Sequence, residues 1–379
     1  MEDKHMLMIP GPTPVPEKVL MALGKHPIGH RSGDFSKIIA EINQNLKWLH
    51  QTKNEVLSLT VSGTGAMEAG MINFLSPGDR VLVGVNGKFG DRWAKICEVF
   101  GLQTERITAD WGKPLDPEEF GNLLAADTNK EIKAVVITHS ETSAGVLNDL
   151  EAINKHVKAH GEALIIVDAV TSLGAYNLPI DDWGLDVVAS GSQKGYMIPP
   201  GLGFIAVSDK AWKAYETSKF PRFYLDLGKY KKANEKDSSP FTPPINLMYG
   251  LQTALQMMQR EGLENIFARH LRLTKATRDA VKAMGLELFA PDDAASTAIT
   301  AVLSDDAETI RSTMRQKYDI ALAGGQDHLK GKIFRIGHLG FVSDRDILTA
   351  ISCLEATLIE LGHEFEPKAG ITAAAAALV

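Results

Sequence analysis

From about Glu55 to Val207 the chain alternates short β-branched runs with longer stretches in which apolar positions recur at helical spacing. The runs are "VLSLTV", "RVLVGV", "QTERITA", "AVVIT", "ALIIVDA", "DVVAS" and "GFIAVS". Most are continuously apolar rather than alternating, as strands covered on both faces must be. Helices between them make the strands mostly parallel, so the pattern predicts a doubly wound α/β layer architecture. Only about a dozen residues separate "DVVAS" from "GFIAVS", too few for a comfortable crossover helix. One strand of that pair is therefore expected to run antiparallel.

The pattern changes after Val207. The stretch "DLGKYKKANEKDSSPFTPPIN", from Asp226 to Asn246, carries prolines and charges and reads as an exposed loop. Helical spacing then continues almost unbroken to Gly285, too long for one ordinary helix, with Gly262 as the break. Beyond it, "STAITAVL", "AETIRSTMRQKY", "IALAGG", "KIFRIGHLG" and "DRDILTAISCLEATLIELG" read as strand, helix, strand, strand, helix. The predicted organisation is an N-terminal segment over 1–20, a large α/β domain over 21–262 and a smaller α+β domain over 263–379. The Ala-rich tail is expected to fray.

Composition narrows the class. The chain has 379 residues, 44% of them apolar and 23% charged. No apolar run approaches the ~20 residues of a membrane helix, and the opening "MEDKHMLMIPGPTPVP" fits no signal or transit peptide. A cytoplasmic protein is expected, with no membrane association. The formal net charge of −7 and the absence of a dense basic cluster point away from nucleic acid. Two cysteines, Cys97 and Cys353, are too few for a disulfide framework or a thiolate metal cluster, and no metal site is expected.

In an open α/β sheet, ligands collect at the carboxyl ends of the strands. "VSGTGAMEAG" leaves the first strand and opens a helix. Its Gly63 and Gly65 let the backbone approach an anion, and Thr64 offers a hydroxyl, so it reads as a phosphate cradle or, alternatively, a plain tight turn. "NGKFGDRW" offers Phe89, a core residue or a face on which a planar ring can stack. "HSETSAG" offers Thr142 as a donor. Asp168 ends the apolar strand "IIVDAV", where a carboxylate needs a cation or several donors unless it merely caps the next helix. Lys194, in "SGSQKGYMIPPG", stands among small residues at the mouth of the same sheet. An anion cradle, an aromatic plate, a buried carboxylate and an amine together suit pyridoxal phosphate.

These motifs, with "PGPTPVP", "GHRSGDF", "VDAVTSLG" and "FRIGHLG", resemble the class V, fold-type I pyridoxal phosphate aminotransferases. The alanine–glyoxylate and serine–glyoxylate (serine–pyruvate) branch is the nearest in pattern. The resemblance spans nearly the whole chain and implies a mostly parallel seven-stranded sheet beside a smaller C-terminal α+β domain. It implies Lys194 as the Schiff-base lysine, Asp168 as the partner of the pyridinium, and Thr64, Gly65 and Ala66 as the phosphate loop. Thr142, Val170 and Gln193 are further implied cofactor contacts, with Phe89 as ring plate where relatives often use tryptophan. Arg335 matches the arginine that grips the substrate carboxylate, and Gly11 falls in the substrate-side segment. Thr242 matches a threonine that reaches the phosphate of a neighbouring subunit, which implies a homodimer with its site at the interface. Ser239 stands where relatives place a tyrosine, and Ala66 where the branch often has histidine.

The resemblance implies a ping-pong transfer of an amino group from a small amino acid, alanine or serine, to glyoxylate or pyruvate. Arg31 is the candidate for a second carboxylate-binding arginine. Other readings are a 2-aminoethylphosphonate- or aspartate-type transaminase, or a non-catalytic partner subunit of the kind that has carried a hydrogenase label. A cysteine desulfurase would need a nucleophilic cysteine on a loop, and an NAD-dependent dehydrogenase leaves Lys194 and Asp168 unexplained.

Overall fold

The computed structural model describes residues 5–379. Its large sheet has seven strands, in the order Val56–Leu59, Gly203–Val207, Val187–Gly191, Leu164–Asp168, Ile132–Thr138, Arg80–Val85, Gln103–Thr108. Gly203–Val207 pairs antiparallel with both neighbours, and the other pairings are parallel. The short connection after Gly191 thus makes a β-arch back along the sheet, as its length requires.

The continuous apolar runs follow from having a core on each face. Leu82, Ile165 and Phe204 point into one buried cluster, while Val83, Ile166 and Ile205 point into the other. Each such side chain, fully buried, is worth about 1.5–3 kcal/mol. Register brings Thr138, Asp168 and Ala189 level at the carboxyl edge, so the loops that follow converge there.

A second sheet of five strands lies C-terminal in the chain. Ile320–Gly324, Ile333–Gly337, Ile299–Leu303 and Glu287–Leu288 pair antiparallel in that order. Its fifth strand is Met6–Met8, which pairs parallel with Ile320–Gly324. The start of the chain therefore belongs to the same sheet as its last third.

Two local expectations change, and the break expected at Gly262 is found. The stretch after Asp226 contains a helix, Leu227–Asn234, capped by the Asp226 carboxylate through the Gly228 N–H. Gly262, at φ 84°, ends the helix Ile245–Glu261 and starts Leu263–Ala283; that φ suits glycine. The Ala-rich tail does not fray but forms the helix Ala369–Leu378, with Ala374 buried. Alanine is the strongest helix former, and its small side chains allow close packing. A Cβ on Gly370 would lie 2.7 Å from the Met284 sulfur. Among the described residues no helix is long and apolar enough to cross a membrane.

Candidate active site

Lys194 lies in the arch between two antiparallel strands, and that arch is tied down from several sides. Ser192 Oγ donates to the Pro199 carbonyl at 2.8 Å and accepts from the Leu202 N–H at 3.2 Å. The Tyr196 hydroxyl bonds Ser190 and His50, both at 2.7 Å. From the chain's start, Thr13 donates through its N–H to the Gln193 carbonyl and through Oγ1 to the Lys194 carbonyl. The Lys194 amine donates to the Pro10 carbonyl at 2.5 Å. Gly11, at φ 138°, passes so near that a Cβ there would lie 2.7 Å from Nζ. That φ, which L side chains rarely adopt, favours glycine.

The amine faces a cleft of about 140 Å³ at the carboxyl edge of the large sheet, lined in part by Thr64, Phe89, Asp168, Val170, Gln193 and Lys194. Six of the residues singled out from sequence thus meet in one place. Asp168 accepts the Val170 N–H at 2.9 Å, so it caps the following turn and also faces the cleft; the two readings of this residue are compatible. Burial, with Glu141 nearby, pushes its carboxyl up to about 6, against the Val170 bond and the charges of Arg92 and Lys194. Burial pushes the Lys194 amine down to about 8; Asp168 opposes that shift, and Arg335 and Arg92 add to it.

The glycine loop after the first strand opens a helix. Ser62 caps the helix Gly63–Ile72, and the first intrahelical bond runs from Ala66 N–H to the Ser62 carbonyl. Gly65 N–H turns to Ser62 Oγ, and a Cβ on Gly65 would strike Val61. Ala66 is fully buried, its Cβ packed beside Gly203 under the sheet. Gly65 and Ala66 do not line the cleft. Ser62, Gly63 and Thr64 line the cleft instead, and the N–H groups of Gly63 and Thr64 have no acceptor among the described residues. Ser62 and Gly63 could have been found by asking which residue caps the helix, since the donors left free follow the N-cap directly.

Two charged residues went unrecognised in the sequence. Arg92 lines the cleft one helical turn after Phe89. Glu141 is buried and accepts four donors: the Phe89 and Gly90 N–H groups and both the N–H and hydroxyl of Ser143. It pins the start of the helix Lys88–Val99 and so fixes the Phe89 plate. Burial pushes its carboxyl up, and those donors hold it down.

Arg335, on the central strand of the small sheet, reaches across to the loop after a strand of the large sheet. It donates to the Gly324 carbonyl through Nε and Nη2 and to the Thr142 carbonyl through Nη1 at 2.8 Å. A guanidinium has about five N–H groups, so each terminal nitrogen retains a donor for a carboxylate. Burial lowers it to about 10, and it stays charged. Thr142 lies under this contact rather than on the cleft wall, its Oγ1 buried without a partner. Arg31 is bound to Ser238 Oγ and the Ser239 carbonyl and is exposed. Ser239 and the exposed Thr242 belong to a separate loop and do not line the cleft of their own chain. A larger groove of about 640 Å³ meets the Lys194 arch at Met197, but its methionine-rich lining has no anion loop.

The residues fit pyridoxal phosphate. A helix start with free N–H groups suits the phosphate, Phe89 offers a face for the ring and Asp168 a charge for its nitrogen. The Gln193 Oε1 and Thr142 Oγ1 atoms, buried and unpaired in the protein, are polar atoms that ask for a ligand.

Fold and site together define a fold-type I pyridoxal phosphate enzyme. The chain belongs to the class V aminotransferases: the family's profile matches residues 6–336. It is 38% identical to a serine–glyoxylate aminotransferase of Methylorubrum extorquens over 99% of this chain and 96% of that one. It is 68% identical to the soluble hydrogenase 42 kDa subunit of Anabaena cylindrica, over 99% of each chain. Its fold matches the crystal structure of ureidoglycine–glyoxylate aminotransferase from Bacillus subtilis with a TM-score of 0.93 and 28% identity, over 100% of this chain and 98% of that one.

Proposed function

We propose that this protein transfers the amino group of a small L-amino acid, alanine or serine, to glyoxylate or pyruvate. The observation that carries the reading is the buried Lys194 amine set opposite Asp168, with Arg335 holding free donors beside the Thr142 loop. Lys194, Asp168, Gln193, Val170 and Phe89 would hold the cofactor, with its phosphate on Ser62, Gly63 and Thr64. Bound there, pyridoxal phosphate supplies an aldehyde for amines and a ring that accepts the electrons released at the substrate's Cα.

The protein's own residues do the rest. Arg335 grips the α-carboxylate with two parallel N–H groups, which fixes the direction of the Cα–H bond. Lys194 Nζ, lowered to about 8, is near enough to neutral pH to take the Cα proton as a base. Asp168 keeps a ring nitrogen protonated by its charge. Gly11 and the Pro10 carbonyl pass beside the Lys194 amine. With Arg31 engaged by the Ser239 loop, uncharged side chains are favoured over dicarboxylates, and the names of two similar proteins support glyoxylate as acceptor. Thr242 and Ser239, remote from their own cleft, support a homodimer in which they serve the partner's site.

The test is the visible spectrum of the purified protein before and after borohydride. A chromophore fixed by reduction, and lost in Lys194→Ala, is expected; a protein that takes up no pyridoxal phosphate would sink the reading. A matrix of alanine, serine and aspartate against glyoxylate and pyruvate then identifies the substrates. The label of the Anabaena cylindrica relative favours a second reading, a hydrogenase partner subunit. Co-purification with hydrogenase activity, in a protein inactive across the matrix, would establish it.

A further inference from the structure

Arg92 has no role in the account so far, and its surroundings are unusual for a guanidinium. It is half-buried, yet among the described residues it forms no ion pair and one hydrogen bond, Nη1 to Thr64 Oγ1 at 3.3 Å. The acid beside it is not available, because Asp91 is engaged by Lys95 and Arg106. Arg92 stands three residues after Phe89 on the same helix face, and its guanidinium carbon lies 4.9 Å from the centroid of the Phe89 ring. Stacking on the plate and bonding to the loop hold it at the cleft wall with most of its donors unused.

We propose that Arg92 is the cation that binds the cofactor's phosphate, bridging the Thr64 loop and the Phe89 plate. The inference rests on the cofactor reading above. The loop on its own offers two free N–H groups, hydroxyls and a helix dipole, and no full positive charge. A doubly charged phosphate in a half-buried cleft calls for one. Asp168 and Lys194 also lie within Arg92's field, so a purely electrostatic role toward Asp168 is the competing account.

The two accounts separate on a ligand that lacks the phosphate. Cofactor-free full-length protein is titrated with pyridoxal phosphate and with pyridoxal, following the visible absorbance that each gains on Lys194. For Arg92→Gln the expected result is pyridoxal phosphate binding weakened about tenfold to a hundredfold, the range of one or two charge-assisted hydrogen bonds. Pyridoxal binding should be unchanged, and competition by inorganic phosphate reduced. Arg92→Lys, which keeps the charge but not the fork, is expected to fall between. The ratio of the two affinities is read within one sample, so a partly unfolded variant does not mimic the effect. Equal weakening of both compounds, or of neither, overturns the proposal, as does a change confined to the KM for dicarboxylate donors. A wild-type protein that captured pyridoxal as tightly as pyridoxal phosphate would also overturn it. If wild type bound neither compound, the cofactor reading itself would fall, and this inference with it.

Discussion

Arg335 Nη1 donates to the carbonyl of Thr142 at 2.8 Å, joining the small sheet to the loop that ends a strand of the large one. The residue assigned to the substrate carboxylate is thus also a fastener between the two sheets. Arg335→Lys keeps a charge but loses the fork, and should raise the KM for the amino donor about tenfold or more with a smaller effect on kcat. Arg335→Ala should additionally lower the melting temperature. Steady-state kinetics and thermal unfolding on the same samples check both, and an unchanged donor KM in either variant would remove Arg335 from substrate binding.

Lys194 is costly to the empty protein. Its amine is lowered from 10.5 to about 8 by burial, so between those values the folded state binds fewer protons than the unfolded one. Stability of the cofactor-free protein should therefore rise with pH across that window. Lys194→Met should lack this rise and be the more stable protein at pH 7, by roughly 1–3 kcal/mol. Denaturant unfolding of both proteins at pH 7 and pH 10 is the measurement; parallel pH profiles would contradict the lowered value.

Asp168 behaves in the opposite sense. Its carboxyl is raised from 3.8 to about 6, so its contribution is complete below about pH 4 and is lost as pH rises through 6. In Asp168→Asn the stability of the cofactor-free protein should no longer decline between pH 4 and 6 on this account. The same variant should reduce turnover by about a hundredfold or more, within the range of a lost electrostatic contact at the reacting group.

Gly11→Ala places a Cβ at 2.7 Å from Nζ and at a φ that side chains rarely adopt. The expected outcome is slower and weaker capture of pyridoxal phosphate, with the core around the large sheet unaffected. Stopped-flow absorbance reads the first, and a melting temperature lowered by only a few degrees reads the second.

Glu141→Gln keeps the size but turns one acceptor oxygen into a donor facing the N–H groups of Phe89, Gly90 or Ser143. A loss of about 1–3 kcal/mol is expected. A loosened Phe89 plate should also broaden and shift the cofactor's visible band, which unfolding free energy alone would not do.

The strands were legible because each is buried on both faces, so Leu82 and Val83 are apolar for the same reason although they point opposite ways. Lys194 and Asp168 stood out because each puts a charge where an apolar strand ends, and Phe89 because it follows the strand Arg80–Val85 among small and polar neighbours. Arg92 and Glu141 could not, since charged residues near a helix start or in a loop are ordinary until tertiary structure shows what they face. Met6–Met8 is three residues long and carries no periodicity. The glycine loop stood out in sequence, but two glycines look alike there and only the Ser62 cap decides which N–H groups stay free.

The parallel pairing of Met6 with Ile320 spans 314 positions (320 − 6). At a synthesis rate of about 5–20 residues per second, the opening strand waits roughly 15–60 s on the ribosome for its partner to emerge. Pro10, Gly11 and Thr13, which secure the Lys194 arch, are tethered to that waiting strand. The large sheet can assemble from its own residues well before then. Lys194 is therefore born uncovered, and the last strands to leave the ribosome are the ones that bring its cover home.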